Sequence, residues 1–87
     1  MPLQLSSHAR RQAERRGIPE DVLFSVAREP EQVLRARANR EIRQSRIVFE
    51  ERDEAYLVRV VVDLLPDDEL IVTCYRTSRL AKYWSPR

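Results

Sequence analysis

His8, Arg46, Arg59, Tyr75, Lys82 and Tyr83 are side chains of the types that metal-free cleavage of a phosphodiester with a 2′-hydroxyl would call for, and stand as candidates for its roles. Attack by the 2′-hydroxyl needs a group to take its proton, cations to stabilise the crowded phosphorane and a donor for the leaving oxygen. His8, the one histidine of the chain, stands as the base or as a phosphate ligand. Arg46 and Arg59 stand as phosphate clamps, because a guanidinium fork grips phosphate oxygens in pairs. Tyr75, Lys82 and Tyr83 supply the leaving-group or stacking side.

Most of these groups gather near the carboxyl end. The stretch YRTSRLAKYW, residues 75 to 84, holds three aromatic rings and three cations and no carboxylate. Rings interleaved with positive charge are what single-stranded RNA recognition uses, since bases stack while the backbone is neutralised. Arg43, Arg76, Arg79 and Trp84 are the further RNA-binding candidates. The other reading of the tail is a closing strand or turn that covers the sheet, with Trp84 as a plug.

Other chemistries lack their residues. There is no Gly-rich phosphate loop, no CxxC pair and no HExxH, and His and Cys are too few for a zinc site, so no metal and no organic cofactor is expected. Asp67, Asp68 and Glu69 follow Pro66 and read as turn residues. Thr77 and Ser78 have no histidine near them in sequence to activate a hydroxyl. Cys74, the single cysteine, sits in the alternating run LIVTCY and reads as a small buried apolar residue.

Composition bounds the rest. With 87 residues, 43% hydrophobic and 34% charged, the chain suits one folded domain over residues 1–87. Formal net charge is only +2, yet Arg35 to Arg46 holds five Arg and one Glu, so local basic patches matter more than the total. Fifteen of the sixteen basic residues are Arg, which a nucleic-acid partner would use and which coding bias by itself explains more readily. No apolar run approaches the roughly 18 residues of a membrane span, and the amino end turns basic where a secretory apolar region would stand. A cytoplasmic protein without membrane contact is expected.

Two helices and then a sheet must position these groups. Ser6 or Ser7 caps a helix over HARRQAERR, and Gly17 ends it. Pro19, Glu20 and Asp21 start a second helix, with Val22, Leu23, Val26 and Ala27 buried, that stops before Pro30. IRQSRIVFE, AYLVRVVVDLL and ELIVTCYR read as strands joined at EERDEA and PDDE; a fourth strand over residues 32–37 and a short edge near Leu3 to Leu5 are further candidates. The fold class is α+β: two N-terminal helices on one face of a small antiparallel sheet of three to four strands.

Alternation assigns the faces. Tyr56, Val58, Val60, Val62 and Leu64 point toward the helices, with Ile47 and Phe49. Leu70, Val72 and Cys74 are expected on that side, and Ile71, Thr73 and Tyr75 opposite. The uncovered face then collects Gln44, Arg46, Arg59, Thr73 and Tyr75. Arg59, inside the most hydrophobic strand, is either a phosphate ligand or half of an ion pair with Asp63.

LSSHARRQAERRGIPEDVLFSVAREPEQV resembles the opening of the domain-of-unknown-function family DUF4258, with its His-Ala pair, helix, Arg-Gly-Ile and second helix leading to a proline. QSRIVFE, YLVRVVVD and VTCYRTSRLAKYW resemble the remainder of one subgroup. The matching positions are His8, Arg16, Gly17, Arg59, Tyr75, Arg76, Thr77, Ser78, Lys82, Tyr83 and Trp84; Gln12, Cys74 and Arg79 depart from the usual residues. The family is similar in expected architecture to the RelE and ParE toxin superfamily. That resemblance implies a RelE/ParE-like fold and the toxin component of a bacterial type II toxin–antitoxin system, a RelE-like endoribonuclease acting on mRNA. The implied partners are a cognate antitoxin protein and RNA, free or on the ribosome; a homodimer is left open. The alternative is a non-catalytic module that binds nucleic acid or an acidic protein through the same basic face.

Overall fold

The computed structural model describes residues 2–49 and 54–86. β1 (Leu3–Leu5) leads into α1 (Ser7–Arg15) and α2 (Glu20–Arg28). β2 (Gln32–Arg37), β3 (Arg40–Val48), β4 (Ala55–Leu64) and β5 (Glu69–Thr77) follow, then a short α3 (Leu80–Tyr83). Ser6 caps α1, its hydroxyl accepting from the Ala9 amide at 3.0 Å. Gly17 turns the chain at φ 66°, a left-handed conformation that side chains resist. Pro19 stands one residue before α2, where its missing amide proton costs nothing, and Glu20 and Asp21 fill the first turn.

The five strands form one mixed sheet in the order β1-β5-β4-β3-β2. β2 through β5 are antiparallel neighbours, whereas β1 lies parallel to β5. The expected three or four antiparallel strands are therefore five, and the class is α+β with a third, C-terminal helix. The fifth is β1, the short edge expected near Leu3 to Leu5, and the candidate over residues 32–37 is β2. What secures β1 is its place beside β5, helped by the Ser6 amide donating to the Ile71 carbonyl at 3.0 Å.

α1 and α2 pack on one face of the sheet through Ala9, Ala13, Leu23, Val26 and Ala27. They meet Val58, Val60, Val62, Ile71 and Cys74, each at most 2% exposed. Small alanines let the α1 backbone approach β5 closely enough for the Cys74 thiol to reach the Ala9 carbonyl at 3.6 Å. Phe49 joins this core, as alternation predicts, and Ile47 packs against it.

One expected assignment reverses. Pairing runs Val61↔Thr73 and then Val62↔Ile71, so Val72 is an extra residue that bulges from β5. Beyond the bulge Ile71 turns into the helix-side core at 0% exposure, and Leu70, opposite Asp63, goes to the other face. Thr73, Cys74 and Tyr75 precede no further irregularity and keep their expected sides. The EERDEA connection lies largely outside the described residues.

Candidate nucleic-acid interface

Away from α1 and α2, the pairing registers place four polar side chains in a row across four strands. Gln32 is opposite Gln44, Gln44 opposite Arg59, and Arg59 opposite Tyr75. Residues directly opposite point to the same side, so the row is a consequence of register alone. Arg46, two residues beyond Gln44, shares the face.

The row is a chain of hydrogen bonds. Gln44 Nε2 donates to Gln32 Oε1 at 2.7 Å, Arg59 Nε donates to Gln44 Oε1 at 2.8 Å, and Arg59 Nη1 donates to Tyr75 Oη at 2.6 Å. The Arg59 guanidinium also lies 4.6 Å from the centre of the Tyr83 ring and 5.7 Å from that of Tyr75. The two rings meet edge to face at 6.2 Å.

This face is not uncovered. α3 and the residues after it lie across it, held from below by the same glutamines. Gln44 Nε2 donates to the Tyr83 carbonyl at 3.2 Å, while Gln32 donates to the Ser85 carbonyl at 2.8 Å and accepts from the Ser85 amide at 3.1 Å. Trp84 takes the Arg46 guanidinium 4.3 Å from its ring centre. Gln44 is fully buried as a result, and Arg59 is 8% exposed. The tail thus closes over the sheet, as a short helix, and brings its rings to the arginines.

Charge balance at Arg59 is unusual. Asp63, the expected partner, is instead clasped by Arg40 at 2.5 and 2.9 Å, and Arg59 has no carboxylate among the described residues. Its Nη2 has no hydrogen-bond partner there, while no sealed side-chain nitrogen or oxygen is left unsatisfied, so Nη2 keeps contact with solvent. Amide oxygen, phenol and ring faces offset part of the desolvation cost of a guanidinium but supply no full negative charge.

Arg46 differs, being exposed and paired with Glu31, from Nε at 3.2 Å and Nη2 at 2.9 Å. The same carboxylate accepts the Arg46 amide at 2.7 Å, and these bonds hold Glu31 below the usual carboxylate range. Lys82 and Arg79 are exposed, with the Lys82 ammonium 5.3 Å from the Tyr83 ring centre. Together Arg59, Tyr75, Tyr83, Lys82, Trp84 and Arg46 form one mixed cationic and aromatic surface.

Four candidates stand elsewhere or are otherwise engaged. His8 is exposed on α1, the helix that packs against the opposite face through Ala9, and the fold does not bring it to Arg59. Arg43 points to the helix side, where it binds Glu69 at 2.7 and 3.0 Å and donates to the Ala27 carbonyl at the end of α2 at 2.8 Å. Arg76, opposite Val58, lies over Phe49 and Tyr56, 4.3 and 4.9 Å from their ring centres. Arg79 contributes its amide to Thr77 Oγ1 at the start of α3. Cys74 is buried, which pushes its thiol up to about 11 and leaves it unsuited to act as a nucleophile at neutral pH. Among the described residues, no three His, Cys, Asp or Glu are grouped to hold a metal ion.

Gln32 is the member of this hydrogen-bonded row that sequence reasoning missed. Its signal was present as a polar residue in β2 at the same parity as Leu34, but only the register of β2 on β3 ties it to Gln44.

Comparison with curated proteins and with solved structures returned no match. A family model described as Domain of unknown function (DUF4258) matches residues 5–76. That span runs from the end of β1 through β5, and includes Gln44, Arg59 and Tyr75 but not Tyr83 or Trp84. Covering most of the sequence, it shows that the chain belongs to the DUF4258 family.

Proposed function

We propose that this protein is the toxin component of a bacterial toxin–antitoxin pair, a RelE-like ribonuclease that grips mRNA on the face built from β3, β4, β5 and the C-terminal segment. Arg59 binds the scissile phosphate through Nη2, and Arg46 a neighbouring phosphate after exchanging Glu31. Tyr83 and Trp84 stack on bases. Tyr75 or Lys82 donates toward the leaving oxygen. The α+β class, with α1 and α2 on one side of the sheet and this surface with α3 on the other, supports the reading.

One observation carries the reading: Arg59 is nearly buried and has no carboxylate partner among the described residues. Evolution to a hydrophobic residue would remove a desolvation cost of several kcal/mol on the order of a buried ion's. A phosphodiester would supply the missing negative charge, which makes the arrangement sensible as an anion site.

The second reading is binding without cleavage, and the position of His8 favours it. With that imidazole across the sheet, no histidine of the described residues stands on this face, and the Glu31 carboxylate there is held by Arg46. Purified protein should be titrated with single-stranded RNA by the fluorescence of Trp84, the one tryptophan, and assayed for cleavage with and without ribosomes. Binding with cutting supports the ribonuclease. Binding alone supports the module, and absence of both rejects the face as an RNA site. Coexpression with the product of the adjacent reading frame tests the antitoxin, which should relieve growth arrest.

A further inference from the structure

α1 carries its charge against the grain. Its first turn contains no acid and does contain Arg10, at the helix end where the macrodipole disfavours cations. Arg10 is balanced by Glu20 of α2 at 2.7 Å. Arg11 and Arg15 have no carboxylate partner among the described residues, and Glu14, the acid of this helix, makes no ion pair there either. His8, Arg11 and Arg15 are spaced three and four residues apart, so they share one stripe of the helix, and all three are exposed. Ala9 and Ala13 take the inward side.

We infer that this stripe is a second nucleic-acid contact, made to the phosphate backbone of double-stranded RNA. It has no aromatic ring for stacking, which separates it from the tail face and suits a duplex, whose bases are already stacked and whose backbone is what a protein can reach. Its reach from His8 to Arg15 is about 10 Å along the helix axis. A protein partner is disfavoured because α1 offers no exposed large apolar side chain; those of the described residues are Val33, Val48 and Leu65. The buried centre of a protein interface is its more apolar part, whereas nucleic-acid interfaces are polar and cationic. The sheet separates the stripe from Arg59, so a single strand on one side and a duplex on the other can be held together, as structured RNA would require. This deepens the RNA reading and rests on it only for that simultaneous use.

The test uses the full chain, a short RNA duplex and single-stranded oligouridylate, with Arg11→Ala combined with Arg15→Ala. Both positions are exposed, and circular dichroism will confirm the fold. Duplex affinity should fall at least about tenfold and its salt slope should flatten by about 2, one unit for each phosphate no longer neutralised. Oligouridylate binding, read at Trp84, should be unchanged. Duplex affinity within about twofold of wild type would overturn the inference. So would polyglutamate competing as well as duplex at equal charge, which would assign the stripe to an acidic protein segment. If oligouridylate fails to bind wild type while the duplex result holds, the tail reading falls and this one stands.

Discussion

Arg59 concentrates the conflict between stability and function in one side chain. Arg59→Met relieves the desolvation of a guanidinium, but leaves Gln44 Oε1 without its donor, a loss of about 1–3 kcal/mol. The two effects oppose, so thermal denaturation is expected to show a net change within about 2 kcal/mol. RNA affinity is expected to drop at least tenfold, about 1.4 kcal/mol, in the Trp84 titration; equal affinity would remove Arg59 from the site. At Gly17 a Cβ would sit 3.3 Å from Arg76 Nη2, with φ at +66°. Gly17→Ala should therefore destabilise by about 1–2 kcal/mol in a chemical denaturation series, chiefly through the left-handed backbone. The need for glycine there was legible in the sequence, as the end of a helix whose next residues begin another. Its nearness to Arg76 was not, because nearly sixty residues of chain intervene and only the packing of the α1–α2 turn beside β5 closes that distance.

At the scale of elements, the C-terminal segment is held by side chains rather than by a ladder of backbone bonds. α3 is four residues long, too short to persist by its own helix propensity. Gln44→Leu removes the bonds to Gln32, Tyr83 and Arg59 together while keeping a similar volume. Loss of the donor–acceptor row should cost about 2–3 kcal/mol and free the segment, shifting Trp84 emission toward that of a solvated indole. A folded variant with unshifted emission would show that Gln32 and the rings suffice. Strand alternation in β3 and β4 was readable because both run without a bulge, and it placed Gln44, Arg46 and Arg59 on one face correctly. β5 was readable only from Thr73 onward. An extra residue at Val72 is favoured by the packing of Ile71 into the core, a gain that no local pattern expresses.

At the scale of the whole molecule, ion pairs among the described residues tie strands to one another and to their flanks, among them Arg40 with Asp63, Arg43 with Glu69, and Arg46 with Glu31. In each of the pairs named, the hydrogen bonds from the arginine hold the carboxylate below its ordinary value. A depressed carboxylate contributes stability that is present above its unfolded pKa, roughly 4, and is lost as pH falls through the lower folded value. Urea midpoints should accordingly stay level from pH 7 to about 5 and decline below about 4. A midpoint that rises on acidification would contradict these pairs.

The amino-acid sequence by itself determined α1 and α2, the places of the five strands, the family and the chemical character of the tail, because caps, periodicity and composition act over a few neighbouring residues. Only tertiary structure decided which of the many arginines are spent. Register and the return of the chain end set Arg43 against Glu69 and Asp63 against Arg40, carried His8 to the far side, and left Arg59 among amide and aromatic groups. Those outcomes depend on distances between residues remote in sequence, and the energy of a charge follows what surrounds it, not what precedes it in the chain.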